Sequence, residues 1–226
     1  TLFIAILSTI LGFIIGLLVA IIRRIDVNKK TNPLAYCFHK FINFLLSVYV
    51  EIFRGTPMMV QSVIIFYGLK QYFDIDLSTM FAAILIVSIN TGAYLSEVVR
   101  GGISSVSSGQ FEACKALGLT NWQAMTNVIL PQTIKTILPS LGNEFVINIK
   151  DTSVLNVISV TELFFMSKSV AGSTYQYFPT YLITAVIYLL LTFTITRLLL
   201  LIERRFNDRD FILESSTGVK NVNTQS

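Results

Sequence analysis

Lys150 and Asp151 stand inside residues 134–160, a largely apolar run that is also interrupted by Gly142, Asn143, Glu144 and Asn148. An ionised side chain at the centre of a bilayer costs about 2.5 to 3.5 kcal/mol, so on a membrane-spanning helix both should face protein or water. Two kinds of chemistry meet that demand. One is a buried ion-pair network that fixes helix packing; the other is the lining of a path for a solute that bears charges of its own. For the second, Asp151 offers an acceptor for a cation, and the hydroxyls of Thr152 and Ser153 offer donors for an anion. Asn90 and Tyr94, four residues apart, would present polar groups on one face of a helix, and Gln61 could complete such a lining. Bond-making chemistry finds no comparable set. Cys37 and Cys114 are too few and too far apart for a disulfide framework or a metal site, no catalytic constellation is identified, and no GxxxxGK[ST] phosphate loop occurs.

A second polar group lies at the end of another apolar run. Glu97 and Arg100 are three residues apart on one helical face, placed to pair with each other or with Arg54 and Glu51. A structural role and a gating role for this inner network stand side by side. His39 reads as a packing residue at a membrane interface, and Trp122 as an anchor for the short helix that carries it.

These side chains need a scaffold, and composition says which kind. Of the 226 residues 53% are apolar and only 13% charged, with a formal charge of +4 and a mean hydropathy of +0.68. A soluble domain carries roughly twice that share of charge, so the chain reads as an all-helical polytopic membrane protein. The bases are strung between apolar runs and form no dense stripe, which argues against nucleic acid. The chain begins at Thr1 within an apolar run, without Met or signal peptide, so residues upstream are expected to be missing.

Residues 2–22 are free of charge and, at about 1.5 Å per residue, long enough for a roughly 30 Å hydrocarbon layer. Their Gly12 and Gly16 form a GxxxG pair that would let another helix come close. Residues 57–73, 77–96 and 179–202 follow the same logic. Residues 134–160 fail on hydropathy but are required by parity. Arg23, Arg24, Lys29 and Lys30 should share the cytoplasmic side with Arg204, Arg205 and Arg209, which needs an even number of crossings between them. Five spans result, N-terminus outside and C-terminus inside. Residues 34–53 hold His39, Lys40, Asn43 and Glu51 and would spoil the parity, so they are expected as a helix along the cytoplasmic interface. Residues 1–206 then form one transmembrane domain and 207–226 a polar cytoplasmic tail.

The longest cytoplasmic loop, residues 111–131, has a construction of its own. Residues 112–117 read as a short helix, Gly118 as its left-handed stop, Thr120 as the cap of a second helix with Gln123 at the capping-box position, and Pro131 as that helix's end. A plain connection needs no paired caps. A DNA-reading helix-turn-helix is the superficial alternative, but NWQAMTNVIL offers no Arg or Lys for phosphates or guanine edges.

The motif Glu112-Ala113-Cys114, then Gly118, then Val128, Leu130 and Pro131 resembles the EAA loop of ABC importer permeases, with Cys114 where that family prefers Ala and Val128 where it prefers Ile. Three further stretches resemble its polar amino acid branch: Phe53-Arg54-Gly55-Thr56-Pro57 with Gln61; residues 93–103, AYLSEVVRGGI; and Ile149-Lys150-Asp151-Thr152-Ser153. The resemblance implies a type I importer permease of a bacterial cell membrane, with a second permease subunit, identical or a close paralogue, beside it. It also implies a cytoplasmic ATPase that carries the ATP and magnesium while this chain holds no cofactor. An extracytoplasmic amino-acid-binding protein, separate or fused upstream, would deliver the substrate. On this reading Glu112, Ala113, Gly118, Leu119, Trp122 and Pro131 couple to the ATPase. Asp151, Thr152, Ser153, Asn90, Tyr94 and Gln61 meet a zwitterionic amino acid, with alternating access as the mechanism. A secondary transporter would bury charges too, but repeated halves are not found; a membrane scaffold would explain five spans but not the loop.

Overall fold

The computed structural model describes residues 1–25 and 33–217, and side chains as far as residue 204. Lys29 and Lys30, and the side chains of Arg205 and Arg209, fall outside the described residues. All regular structure among the described residues is helical: α1 (Leu2–Arg24), α2 (Pro33–Gly55), α3 (Met58–Phe73), α4 (Thr79–Ser105), α5 (Ser108–Ala116), α6 (Asn121–Ala124), α7 (Leu130–Asp151), α8 (Leu163–Thr174) and α9 (Tyr177–Thr217). A π turn, Met125–Ile129, joins α6 to α7, and a 3-10 segment, Thr152–Ile158, follows α7.

The centre of the fold is the crossing of α1 and α4. The inward face of α1 is mostly small residues, Ala5, Ser8, Gly12, Gly16 and Ala20, with Ile4, Thr9 and Val19 buried beside them, while Phe3, Ile6, Ile10, Ile14 and Leu18 face outward at helical spacing. A Cβ at Gly12 would fall 2.7 Å from the Thr91 Cβ, and one at Gly16 2.8 Å from the Ser96 backbone nitrogen. The expected GxxxG contact therefore exists, and α4 is its partner. The pairing Gly12 to Thr91 and Gly16 to Ser96 makes the two helices parallel. Helix α7 runs the other way, since Ile137 packs with Val99 and Ile103 at one end, while Asn148 reaches Thr91 in the middle. Two apolar clusters cap this arrangement. One gathers Ala20, Val99, Ile103, Ile129 and Ile137 near the α5–α6 elbow, the other Ile4, Ala83, Ile86, Leu155 and Ile158 at the far end.

Among the described residues three helices are each long and apolar enough to cross a membrane: α1, α4 and Tyr177–Arg204 of α9. Two bent pairs pass the same test only when each is taken as one span, α2 with α3 at 115° and residues 121–158 with α8 at 55°, which brings the total to as many as five. The separate span expected at 57–73 is only 16 residues as a helix, about 24 Å at 1.5 Å per residue, and too short alone. Helix α2 precedes it across the Thr56-Pro57 break. It starts beside the end of α1, where His39 Nε2 donates to Ile22 O at 2.9 Å. It then climbs until the Tyr49 hydroxyl donates to Ile89 O at 2.6 Å, midway along α4. Residues 34–53, expected along the interface, form a helix whose second half packs against α4. Helix α4 continues past the span end expected at 96, through Gly101 and Gly102 to Ser105.

Candidate functional site: the elbow and the mid-bundle polar residues

The elbow is built from its own backbone demands. Ser107 caps α5 by accepting from Gly109 N. The helix stops because Gly118 takes φ +72°, a left-handed conformation that a Cβ penalises. That turn lets Leu119 N donate to Cys114 O and Gly118 N to Lys115 O, both at 3.0 Å, the paired bonds of a Schellman stop. Thr120 then opens α6 with a complete capping box: Gln123 N donates to Thr120 Oγ1 at 3.2 Å and Thr120 N to Gln123 Oε1 at 3.0 Å. Cys114, Ala124 and Ile129 are buried, and Ile129 roots the elbow in the near cluster against Ala20 and Val99. Glu112, Ala113 and Gly118 are exposed, and Leu119 is half-buried. The result is a rigid knob with an anchored base and a free tip.

Two expectations for this region are corrected. Pro131 does not end the second helix. The π turn puts the ladder out of α register, so that Leu130 N bonds Met125 O, five residues back. Pro131 thus falls in the first turn of α7, where an absent N–H leaves little unsatisfied. Trp122 is not an anchor either, since it is 65% exposed. Ile129 does the anchoring, with Cys114 and Ala124 buried beside it in the chain, and only tertiary packing reveals that.

Mid-bundle, Gln61 and Asn90 come together, and their first task is visible. The helix break at Thr56-Pro57 strands carbonyls of α2. The Gln61 amide donates to Phe53 O at 3.0 Å and to Thr56 O at 2.9 Å. Asn90 Nδ2 donates to Phe53 O at 3.2 Å and to Gln61 Oε1 at 2.9 Å. Tyr94, one turn along α4, is exposed, and the Arg54 guanidinium lies over its ring at 5.5 Å. Arg54 is therefore drawn to Tyr94 and not to Glu97, and Glu51 is exposed. Glu97 does pair with Arg100, at 2.6 Å, and gains a partner from another helix that spacing did not single out, Arg23 at 2.8 Å.

On α7, Asp151 is half-buried and Lys150 exposed. Among the described residues neither forms an ion pair, so the network that would fix packing is not at this position. Ser153 is half-buried. Thr152, expected as a donor to solute, is fully buried and gives its hydroxyl to Ile149 O at 2.9 Å, so it belongs to the packing. Glu144, read only as an interruption, lies two turns before Asp151 on the same face of α7 and is half-buried. Packing here is fixed instead by neutral groups. Asn148 Nδ2 donates to Thr9 Oγ1 at 2.9 Å and to Thr91 Oγ1 at 3.0 Å, and Thr91 Oγ1 donates back to Asn148 Oδ1 at 3.2 Å. At the far end the buried carboxylate of Glu162 caps α8, accepting from Phe164 N and Phe165 N, and also accepts from the Tyr188 hydroxyl at 3.1 Å.

A bundle of outward-apolar helices around a polar middle, with a capped knob at one end, is the build of a membrane transport subunit, and the comparisons specify which. The chain belongs to the family of binding-protein-dependent transport system inner membrane components, whose profile matches residues 33–208. It is 35% identical to the nopaline transport system permease protein NocM of Agrobacterium fabrum, over 90% of this chain and 83% of the relative. It is 37% identical to the putative glutamine transport system permease protein GlnP of Rickettsia typhi, over 89% and 87%. A crystal structure of an amino acid ABC transporter with histidines superposes with a TM-score of 0.78 at 37% identity, covering 90% of this chain and 89% of that one.

Proposed function

We propose that the chain is the membrane-spanning subunit of an ATP-driven amino acid importer of a bacterial inner membrane. In this reading it crosses five times, N-terminus outside and C-terminus inside, with residues 207–226 as a cytoplasmic tail. A second permease subunit completes the pore, a cytoplasmic ATPase supplies ATP and magnesium chemistry, and an extracytoplasmic binding protein delivers the substrate. The observation that carries the reading is the elbow, anchored at its base, exposed at its tip and stiffened by bonds of its own. The relatives named above point to the amino acid as cargo.

ATP binding draws the ATPases together, and each elbow carries its permease helices along, so that the pore alternates between inward and outward access. A shift from mostly one state to mostly the other takes about 5.5 kcal/mol of differential binding, which reaches the helices only through a stiff connector. Glu144 and Asp151, on one face of α7 and without an ion pair among the described residues, would favour a solute with a cationic group, and the ammonium of any amino acid qualifies. Ser153, Tyr94 and the Gln61–Asn90 pair border the same route.

Purifying the chain from membranes tests this. It should bring an ATPase with it, and ATP hydrolysis by the complex should rise with an amino acid and its binding protein. Asp151→Asn should lower uptake at least about tenfold, the loss of one charge-assisted contact, with assembly intact. Uptake that survives ATP depletion but stops with the ion gradient would overturn the proposal in favour of a secondary transporter.

A further inference from the structure

Between the end of α1 and the elbow lies an open groove of about 480 Å³. Ile21 and Ile25 form its wall on the α1 side, Phe111 and Trp122 its wall on the elbow side, and Arg24 and Lys115 supply its charge. Ile25 is 47% exposed, so apolar surface opens outward at the depth where the spanning helix ends. Among the described residues neither cation forms an ion pair. Arg24 rests over the Phe111 ring at 5.9 Å, a contact that brings no anionic partner. Leu117 and Gly118, the tip of the elbow, do not line the groove, whereas Leu119 and Trp122, expected above to couple to the ATPase, do.

Two cations without an ion pair among the described residues, beside apolar side chains and an indole ring at the end of a membrane span, match one class of ligand. A free phosphate would use the cations and leave the apolar walls wet. A lipid with an anionic headgroup uses both, and basic pockets beside spanning helices hold such headgroups. We infer that the groove binds an anionic phospholipid of the leaflet on the elbow's side. Its phosphate lies between Arg24 and Lys115, and its glycerol and upper acyl carbons run along Ile21, Ile25 and Trp122. The lipid then splints the elbow to α1 and adds stiffness to the connector. The inference rests on the proposed function for the elbow's place at the cytoplasmic leaflet. A segment of the ATPase is the competing occupant, but one wall of the groove is the membrane-spanning helix itself.

The test uses the whole complex with its ATPase, reconstituted in nanodiscs of equimolar phosphatidylcholine and phosphatidylglycerol, with retained lipids counted by native mass spectrometry. Phosphatidylglycerol should be retained on the permease in preference to phosphatidylcholine. Arg24→Gln and Lys115→Gln should each weaken that retention about fivefold, Arg24→Lys should restore it, and the amount of ATPase bound should not change. Equal retention by wild type and the Arg24→Gln/Lys115→Gln double variant overturns the lipid site and leaves the importer reading untouched. Loss of the ATPase with lipid unchanged overturns it too, by giving the groove to the partner protein. A wild-type chain that holds no ATPase speaks against the proposed function instead, while its lipid count still decides the site. If the double variant does not assemble, the two single variants decide by the same count.

Discussion

The elbow and the α1–α4–α7 crossing are held together in opposite ways. In the elbow the shaping bonds join residues less than two turns apart, as in Leu119 N to Cys114 O and the Thr120–Gln123 box. In the crossing they join residues 57 to 139 positions apart, as in Thr91 to Asn148 and Asn148 to Thr9. A unit closed by local bonds keeps its shape while it is displaced as a body, which is what a connector needs. A crossing closed by distant bonds holds only while the whole bundle is assembled. Substitutions in the crossing should therefore unfold the chain, whereas substitutions in the elbow should disable it while leaving it folded.

The largest effect is expected where backbones touch. Gly16→Leu has no room, because its first side-chain carbon would already meet Ser96 N at 2.8 Å and the Leu95 carbonyl carbon at 2.9 Å. Overpacking against backbone should remove about 3 kcal/mol or more, seen as loss of the monodisperse species in detergent or a sharp fall in its melting temperature. Gly68→Leu is the control, since nothing lies within 4 Å of the position where its Cβ would be. Equal tolerance of the two would break the picture of a close crossing.

Next comes the buried amide. Asn148→Leu leaves the Thr91 hydroxyl without its amide partner and takes from Thr9 the donor it accepts, for a loss of about 2 kcal/mol. Thr9 keeps its bond to Ala5 O at 2.7 Å, so Thr91 should carry most of that loss. Thr91→Val introduced on top should then cost far less than in the wild-type chain, a non-additivity that thermal denaturation of the four variants in the cycle measures. Additive losses would mean that the two residues stabilise independently.

The same contrast explains which parts of the structure were legible in the sequence. The elbow's glycine stop and its capping box were readable because their partners sit three to five residues away and their residue types have narrow uses. The α1–α4 contact was half readable: Gly12 and Gly16 announced a close neighbour, but nothing local said that the neighbour is Thr91 to Ser96. Arg23 as the partner of Glu97, and Asn148 as the clasp of three helices, depend on the fold bringing together segments 74 and 139 residues apart. Pro131 misled because its rule assumes α register, and the π turn before it had removed that register. Thr152 was placed on a solute path by its motif, whereas the 3-10 segment it begins turns it into the core.

Gly118→Val shifts the effect from stability to coupling. A branched side chain at φ +72° is strained by about 1 to 2 kcal/mol, enough to reshape a two-helix knob and too little to open the bundle. The melting temperature in detergent should stay within a few degrees of wild type, while the ATPase no longer co-purifies and uptake falls to background. Unfolding of the whole chain by this substitution would show that the elbow is not a separate unit.

The smallest effect tests the same independence at its finest grain. Thr120→Ala removes the hydroxyl that accepts from Gln123 N and leaves Gln123 Oε1 with the Thr120 backbone N–H alone. A lost N-cap is worth about 1 kcal/mol, so exchange of the bonded amides of Gln123, Ala124 and Met125 should quicken about fivefold, the rate equivalent of that energy when local opening governs exchange. Because the elbow's base is seated on Val99 and Ile103 through Ile129 and not through the cap, amides of α4 and α7 should exchange at wild-type rates. Thr120→Ser keeps the oxygen and should restore most of the protection. If exchange in α4 quickens along with the elbow, the knob and the bundle open together, and a lever that moves as its own body is ruled out.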